Sequence, residues 1–278
     1  MIRFFKVAGG GLASVLLSVG ICTGAGNAQA QPAPAPQQDY KPSLYQAGKD
    51  VIWVPSPGDL VEKMLDMARV TPADVLMDLG SGDGRTVIAA ARRGVSATGI
   101  EFNPDMVTFS KREAQKAGVE GKAQFVQADI FQSDLTKASV ITLFLLPELN
   151  LRLRPSILNL KAGTRIVSNT FRMGDWKPDE AADLNCGPHC IAYLWVVPAR
   201  IEGRWKSSIG PLAVTQAFQT FEGAIGGKPT EKGRIQGERI YFNVGSSEFT
   251  GVVKGDVIEG SFKPVAGDGP AGNWSATR

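Results

Sequence analysis

Histidine is almost missing from this 278-residue chain: His189 stands alone. Cysteine is scarce as well, with three residues, and the formal net charge is only +3. Each scarcity excludes something. A chain so close to neutral has no electrostatic footprint for nucleic acid. Two of the three cysteines, Cys186 and Cys190, share the stretch "NCGPHC" with His189. A metal site would need three adjacent ligands from one short loop, which matches no common zinc spacing. The stretch therefore reads as a small-loop disulfide, and no metal is expected.

Charge is also missing from the N-terminus, where Arg3 and Lys6 are the only charged residues before Asp39. An apolar, glycine-dotted core runs from about Val7 to Cys22, and Ala28-Gln29-Ala30 then forms a small-x-small pattern. This is the layout of a secretory signal, and the core is shorter than the ~20 apolar residues of a spanning helix. Residues 1–30 are expected to be removed on export, to the periplasm of a bacterium, leaving no stable membrane span. Their loss takes the charge from +3 to +1. "QPAPAPQQ" opens an extended Pro-rich linker over residues 31–44. Beyond the linker the chain divides into an α/β domain over 45–200 and a β domain over 201–278.

From residue 56 onward, elements of two periods alternate. "SPGDLVEKMLDMARV" reads as a helix with Ser56 as its cap; "DVLMDLG" reads as a strand; residues 85–93 read as a helix stopped by Gly94. "VSATGIE", "KAQFVQADIF", "SVITLFLL", "GTRIVSNTF" and "IAYLWVVPAR" are further strands. Asn103-Pro104 opens one intervening helix, and "ELNLRLRPSILNL" forms another that Pro155 bends or restarts. Such alternation predicts a doubly wound, mostly parallel α/β sheet with helices on both faces. The last 75 or so residues change to glycine-punctuated alternation with no long helical stripe. They read as a small antiparallel meander or barrel bracketed by Trp205 and Trp274.

The glycines Gly80, Gly82 and Gly84 lie between the first strand and its helix, at the sheet edge where doubly wound folds bind ligands. Glu101 ends the second strand 21 residues after Gly80, where an acidic side chain reaches ribose hydroxyls. Together these features point to a bound nucleoside. A dinucleotide loop would read G-x-G-x-x-G, and this loop is G-x-G-x-G. Two carboxylates, Asp78 and Asp83, would repel a pyrophosphate and suit a cationic ligand such as an ammonium or sulfonium. Asp129 ends the third strand and could accept from an adenine amino group, with Ile130 and Phe131 packing the ring.

At these residues the chain resembles the class I S-adenosylmethionine-dependent methyltransferases. "MDLGSGDGR", "GIEFNP" and "QADIF" look like that family's motifs I, II and III, and the likeness covers roughly residues 45–200. It is nearest to the small lysine methyltransferases that modify the ATP synthase c-subunit and the adenine nucleotide carrier. Those also place a "VPSP"-like segment before the first helix. Certain bacterial proteins share the "FLLPELN" and "YLWVVPA" stretches too. The resemblance implies a Rossmann-like methyltransferase sheet. It implies S-adenosylmethionine (SAM) held by Asp78, Gly80, Ser81, Gly82, Glu101, Asn103 and Asp129. Phe102 would lie near the adenine, and Ser56 would close over the methionine end.

The acceptor is expected at the carboxyl end of the fourth strand. Pro147, Glu148 and Asn150 of "LLPELN" are the candidates there, with Glu148 as proton acceptor. No DPPY or NPPY is present, which argues against amide- and base-methylating classes. N-methylation of a protein lysine or of a small amine follows as the expected reaction. An exported module that binds a nucleoside or SAM without turnover is the alternative.

Overall fold

Five short apolar strands build the centre of the molecule, and their burial explains their composition. The computed structural model describes Tyr40–Arg278. The stretch read as a secretory signal, and the linker as far as residue 39, lie outside the described residues. Helix α1 (Gly58–Met67) precedes β1 (Val75–Leu79), α2 (Arg85–Arg92), β2 (Ser96–Glu101), α3 (Pro104–Lys116) and β3 (Ala123–Gln127). Then come β4 (Val140–Leu143), α4 (Pro147–Leu158), β5 (Arg165–Asn169), β6 (Glu180–Asp183) and β7 (Ile191–Val196). The strand order is β3-β2-β1-β4-β5-β7-β6. Strands β1 to β5 pair in parallel, β7 is antiparallel to β5, and β6 is antiparallel to β7.

Both faces of the sheet are covered, as its near-continuous apolar strands require. One core joins Leu60, Val61, Met64 and Leu65 of α1 to α2, α3 and the strands. The other lies beneath α4 and includes Leu153, Ile157, Trp176 and Trp195. Each such side chain contributes about 1.5–3 kcal/mol relative to exposure.

Two local expectations change. Ser56 does not cap α1: Pro57 holds the cap position without a side-chain bond, and the Ser56 hydroxyl instead accepts from Asn169 Nδ2 at 3.0 Å. Nor does Pro155 break α4, which runs through it. Pro155 lies on the exposed face, beside exposed Leu151, so water can satisfy the carbonyl that loses its partner.

The C-terminal region is more than a small module. Eight antiparallel strands, β8 (Gly203–Ser207) to β15 (Gly272–Thr277), close into an up-and-down barrel in which β15 pairs with β8. Between them in sequence run β9 (Leu212–Ala217), β10 (Thr220–Ile225), β11 (Lys228–Gln236), β12 (Arg239–Val244), β13 (Ser247–Lys254) and β14 (Val257–Pro264). Side chains fill the interior. Trp205, Phe221, Phe242, Phe249 and Trp274 are all buried, and Phe242 stacks on Phe249 at 5.0 Å. An eight-stranded barrel filled in this way leaves no ligand chamber. It docks on the α/β region through Trp176 stacked on Phe218 at 5.9 Å, and through Gln219 Nε2 donating to the Lys177 carbonyl at 2.6 Å.

Candidate active site

A crevice of about 260 Å³ opens at the carboxyl ends of the parallel strands. It is lined by Ser56, Asp78, Gly80, Ser81, Gly82, Asp83, Glu101, Phe102, Asn103, Asp129 and Ile130, eleven residues marked out from sequence. The doubly wound topology explains the convergence, because successive parallel strands end along one sheet edge.

The glycine loop turns its amides inward. Gly80 and Ser81 both donate to the Ile100 carbonyl, at 2.8 and 3.1 Å, and Gly82 donates to Glu101 Oε2 at 2.9 Å. No three-amide nest is left for a phosphate, so a pyrophosphate lacks the donors it needs there. The loop offers bare backbone instead. Gly82 sits at φ +53°, and a Cβ there would come within 2.5 Å of Trp53 Nε1. Glu101 is a staple as well as a ligand group, since its other oxygen accepts from the Asn103 amide at 2.9 Å. Asn103 in turn caps α3 through its side-chain oxygen, bound by the Asp105 amide at 2.9 Å.

The two motif carboxylates take different roles. Arg85 grips Asp83 with three contacts between 2.6 and 3.1 Å and reaches the Ser56 carbonyl at 2.8 Å. Asp83 therefore ties the loop to the segment before α1, and its charge is already paired. Asp78 has no cationic partner. It is buried and accepts from Thr142 Oγ1 at 2.7 Å; burial pushes its carboxyl up to about 7, against the Thr142 bond and with help from Asp83 and Glu101. An ammonium or sulfonium would find its counter-charge at Asp78.

A hairpin spanning residues 45–53 folds across the crevice. Tyr45 donates to the Trp53 carbonyl at 3.0 Å and Trp53 to the Gln46 carbonyl at 2.9 Å, with a bridge from Ala47 to Ile52. Its tip delivers Lys49 to Asp129 at 2.6 Å and over the Phe102 ring at 4.8 Å. The Lys49 bond holds the Asp129 carboxyl below its ordinary value.

The acceptor-side expectations fare differently. Pro147 opens α4 and is exposed, as is Glu148, and neither lines the crevice. Helix phase is the reason. Asn150, Leu153 and Ile157 form the buried stripe of α4, and Glu148 falls on the opposite side. Asn150 is fully buried behind the crevice wall, where its Nδ2 lies 3.4 Å from the Phe171 and Arg172 carbonyls. Its place is beneath the segment that carries Phe171.

Sequence reasoning missed Phe144, Phe171 and, in this role, His189, all of which line the crevice. Phe144 follows β4, Phe171 follows β5, and His189 comes from the β6–β7 loop closed by the Cys186–Cys190 disulfide. The presence of a single histidine was the available signal, but only the folded loop shows which way it faces. Among the described residues no group of three His, Cys, Asp or Glu could hold a metal.

The topology, the acidic strand ends and the inward-turned glycine loop define a class I methyltransferase. The ANTKMT methyltransferase domain model matches residues 78–180. A protein-lysine N-methyltransferase of Saccharolobus islandicus is 38% identical over 152 residues, which is 53% of this chain and 94% of that protein. The chain is 37% identical to the lysine N-methyltransferase of the mouse ATP synthase c-subunit, but it spans only 51% of that protein's length. A solved Salinibacter ruber structure, named as an RNA methyltransferase in complex with S-adenosyl-L-homocysteine, is 45% identical with a TM-score of 0.51. The match covers 53% of this chain and 96% of that one. The chain belongs to the family of the S. islandicus lysine methyltransferase, and its cofactor is SAM.

Proposed function

We propose that the protein methylates the side-chain amine of lysine in a protein acceptor outside the cytoplasm. One observation carries the catalytic part: a cation-selecting crevice at the ends of β1 to β3 continues into an aromatic wall at the ends of β4 and β5. The relatives named for lysine methylation support the acceptor class. The secretory pattern of residues 1–30 and the Cys186–Cys190 disulfide support an oxidising compartment.

The residues present fit the cofactor. Glu101 and Asp129 suit the ribose hydroxyls and the adenine amine, Phe102 and Ile130 suit the ring, and Asp78 suits the positive end. The bare surface at Gly82 allows close approach. When bound, the cofactor supplies a methyl group on a sulfonium, activated for transfer to an amine. The chain's own task is alignment and exclusion of water. The hairpin of residues 45–53 covers one side, and Phe144, Leu145, Leu146 and Phe171 give the other an apolar lining. A desolvated lysine there loses its proton more readily.

The test has two stages. Calorimetry with S-adenosylhomocysteine establishes the cofactor site; micromolar binding is expected. Methyl-labelled SAM is then offered with an envelope-protein extract and with total RNA. Label recovered as methyl-lysine supports the proposal. Label in RNA, the acceptor in the name of the S. ruber protein, overturns the acceptor class. Tight binding with label in neither favours a module that holds SAM without turnover.

A further inference from the structure

We infer that His189, held in a disulfide-closed loop, is the base that takes the proton from the acceptor lysine between Phe144 and Phe171. The inference rests on the methyltransferase reading and assigns the acceptor half of the same crevice.

The two halves of the sheet edge are chemically distinct. The ends of β1, β2 and β3 carry the carboxylates. The ends of β4 and β5 and the β6–β7 loop contribute Leu143, Phe144, Leu145, Leu146, Phe171 and His189. Among the described residues lining that second half, His189 is the one titratable side chain. Its ring centroid lies 5.5 Å from Phe144 and 6.4 Å from Phe171, and the two phenyl rings are 6.2 Å apart. Aromatic faces at this separation favour a lysine stem and an ammonium or methylammonium head.

The ring also carries an unmet demand. His189 Nδ1 is buried and has no hydrogen-bond partner. An unpartnered buried polar atom costs about 1–3 kcal/mol, and an amine or ammonium N–H from the crevice would satisfy it. Other candidate bases stand elsewhere. Glu148 faces away, and Asp78 lies on the cofactor half, already bonded to Thr142.

The step balances simply. The lysine ammonium gives one proton to the neutral imidazole, leaving a neutral amine and an imidazolium. The amine lone pair then forms the new C–N bond as the methyl's bond to sulfur breaks and its electron pair stays on sulfur. The imidazolium releases its proton to water. The disulfide matters because the loop has few other anchors. Cys190 is buried at the start of β7 while Cys186 is exposed, so the bond ties the loop to the sheet.

Because His189 is the only histidine, its imidazole resonances need no assignment by mutation. Nα-acetyl-lysine methylamide titrated into the protein saturated with S-adenosylhomocysteine should shift them, and it should not shift them in the Phe144→Ala, Phe171→Ala double variant. His189→Gln and His189→Ala should bind S-adenosylhomocysteine within about twofold of the parent while transfer to the protein acceptor falls about 10²-fold or more, the range for loss of a general base. Replacing both cysteines by serine should lower transfer in the same way without loss of cofactor affinity. Imidazole signals that ignore the probe, or a His189→Ala variant as fast as the parent, would overturn the inference. If the parent itself methylates no protein, the lysine reading fails, and the probe titration still decides whether His189 meets an amine.

Discussion

Lys49 Nζ lies 2.6 Å from Asp129 Oδ2 and 4.8 Å from the centre of the Phe102 ring. It therefore binds both groups that the motif assigns to the adenine: the carboxylate by charge and the ring by its face. A ligand using Asp129 and Phe102 must displace the ammonium. Lys49→Met should therefore bind S-adenosylhomocysteine about two- to fivefold more tightly than the parent, since a partly exposed pair is worth about 0.2–1 kcal/mol. Calorimetry at low and high salt measures it, and the gain should shrink in salt as the competing pair weakens. Weaker binding in Lys49→Met would mean that Lys49 holds the cofactor instead of competing with it.

Glu101 joins two roles that the sequence presents as one. Its oxygens accept from the Gly82 and Asn103 amides, each at 2.9 Å. Removal should weaken cofactor binding by about 1.5–3 kcal/mol, and it should also leave two amides unpaired and lower the melting temperature of the cofactor-free protein. Glu101→Gln keeps an acceptor oxygen and should recover part of the stability but less of the affinity. An alanine variant that melts like the parent would show that the staple contributes nothing.

Much of this site was legible because its chemistry is local. "LGSGDGR" holds the turn, the cap and the paired Asp83–Arg85 within seven residues, and Glu101 and Asp129 follow at the ends of apolar strands. The illegible parts depend on orientation or distance. Glu148 sits at the right strand end, but helix phase turns it outward. β6 reads "EAAD", an edge strand with no buried apolar residue, so no periodicity announces it; yet its pairing with β7 aims His189 into the crevice. The hairpin of residues 45–53 reaches Asp129 across 80 positions, a contact that no spacing rule expresses. The barrel was visible as alternation, but its closure rests on Ala276 and Thr277 pairing with Ser207 and Lys206.

Gly82 offers a test of the hairpin as a cover. A side chain there meets the Trp53 indole, at 2.5 Å from Cβ to Nε1, in a backbone conformation that L-residues avoid. Gly82→Ala should lower cofactor affinity at least about tenfold, through a displaced hairpin and about 1 kcal/mol or more of strain. Trp53→Gly in the same chain removes the clash but not the strain, so it should recover part of the loss. Non-additivity in that double-mutant cycle is the quantity to measure. Strictly additive losses would mean that the alanine acts on the ligand or the backbone, and that Trp53 is not its target.

Asp78 sets a pH dependence of opposite sign in stability and in binding. Its carboxyl titrates at about 7 in the folded cofactor-free protein, because burial penalises the charge, and near 3.8 when unfolded. Between those values the folded state holds the extra proton. Stability contributed by this group is therefore greatest below about pH 4, falls as pH rises, and is fully lost above about pH 7. A cationic ligand reverses the preference, because it favours the ionised carboxylate. Cofactor affinity should rise as pH goes from about 6 to 8, by up to about tenfold for each pH unit below the carboxyl's own pKa, and binding near pH 7 should release a proton. Asp78→Asn cannot ionise and keeps nearly the same shape. It should melt higher than the parent at pH 8 without cofactor, show no such advantage at pH 4, and bind S-adenosylmethionine weakly with no slope in pH. Melting curves and calorimetry in buffers of different ionisation enthalpy test each part. A parent protein whose cofactor affinity is flat from pH 6 to 8 would remove Asp78 as the counter-charge of the crevice. The positive end of the cofactor would then have to be met by Glu101 or Asp129.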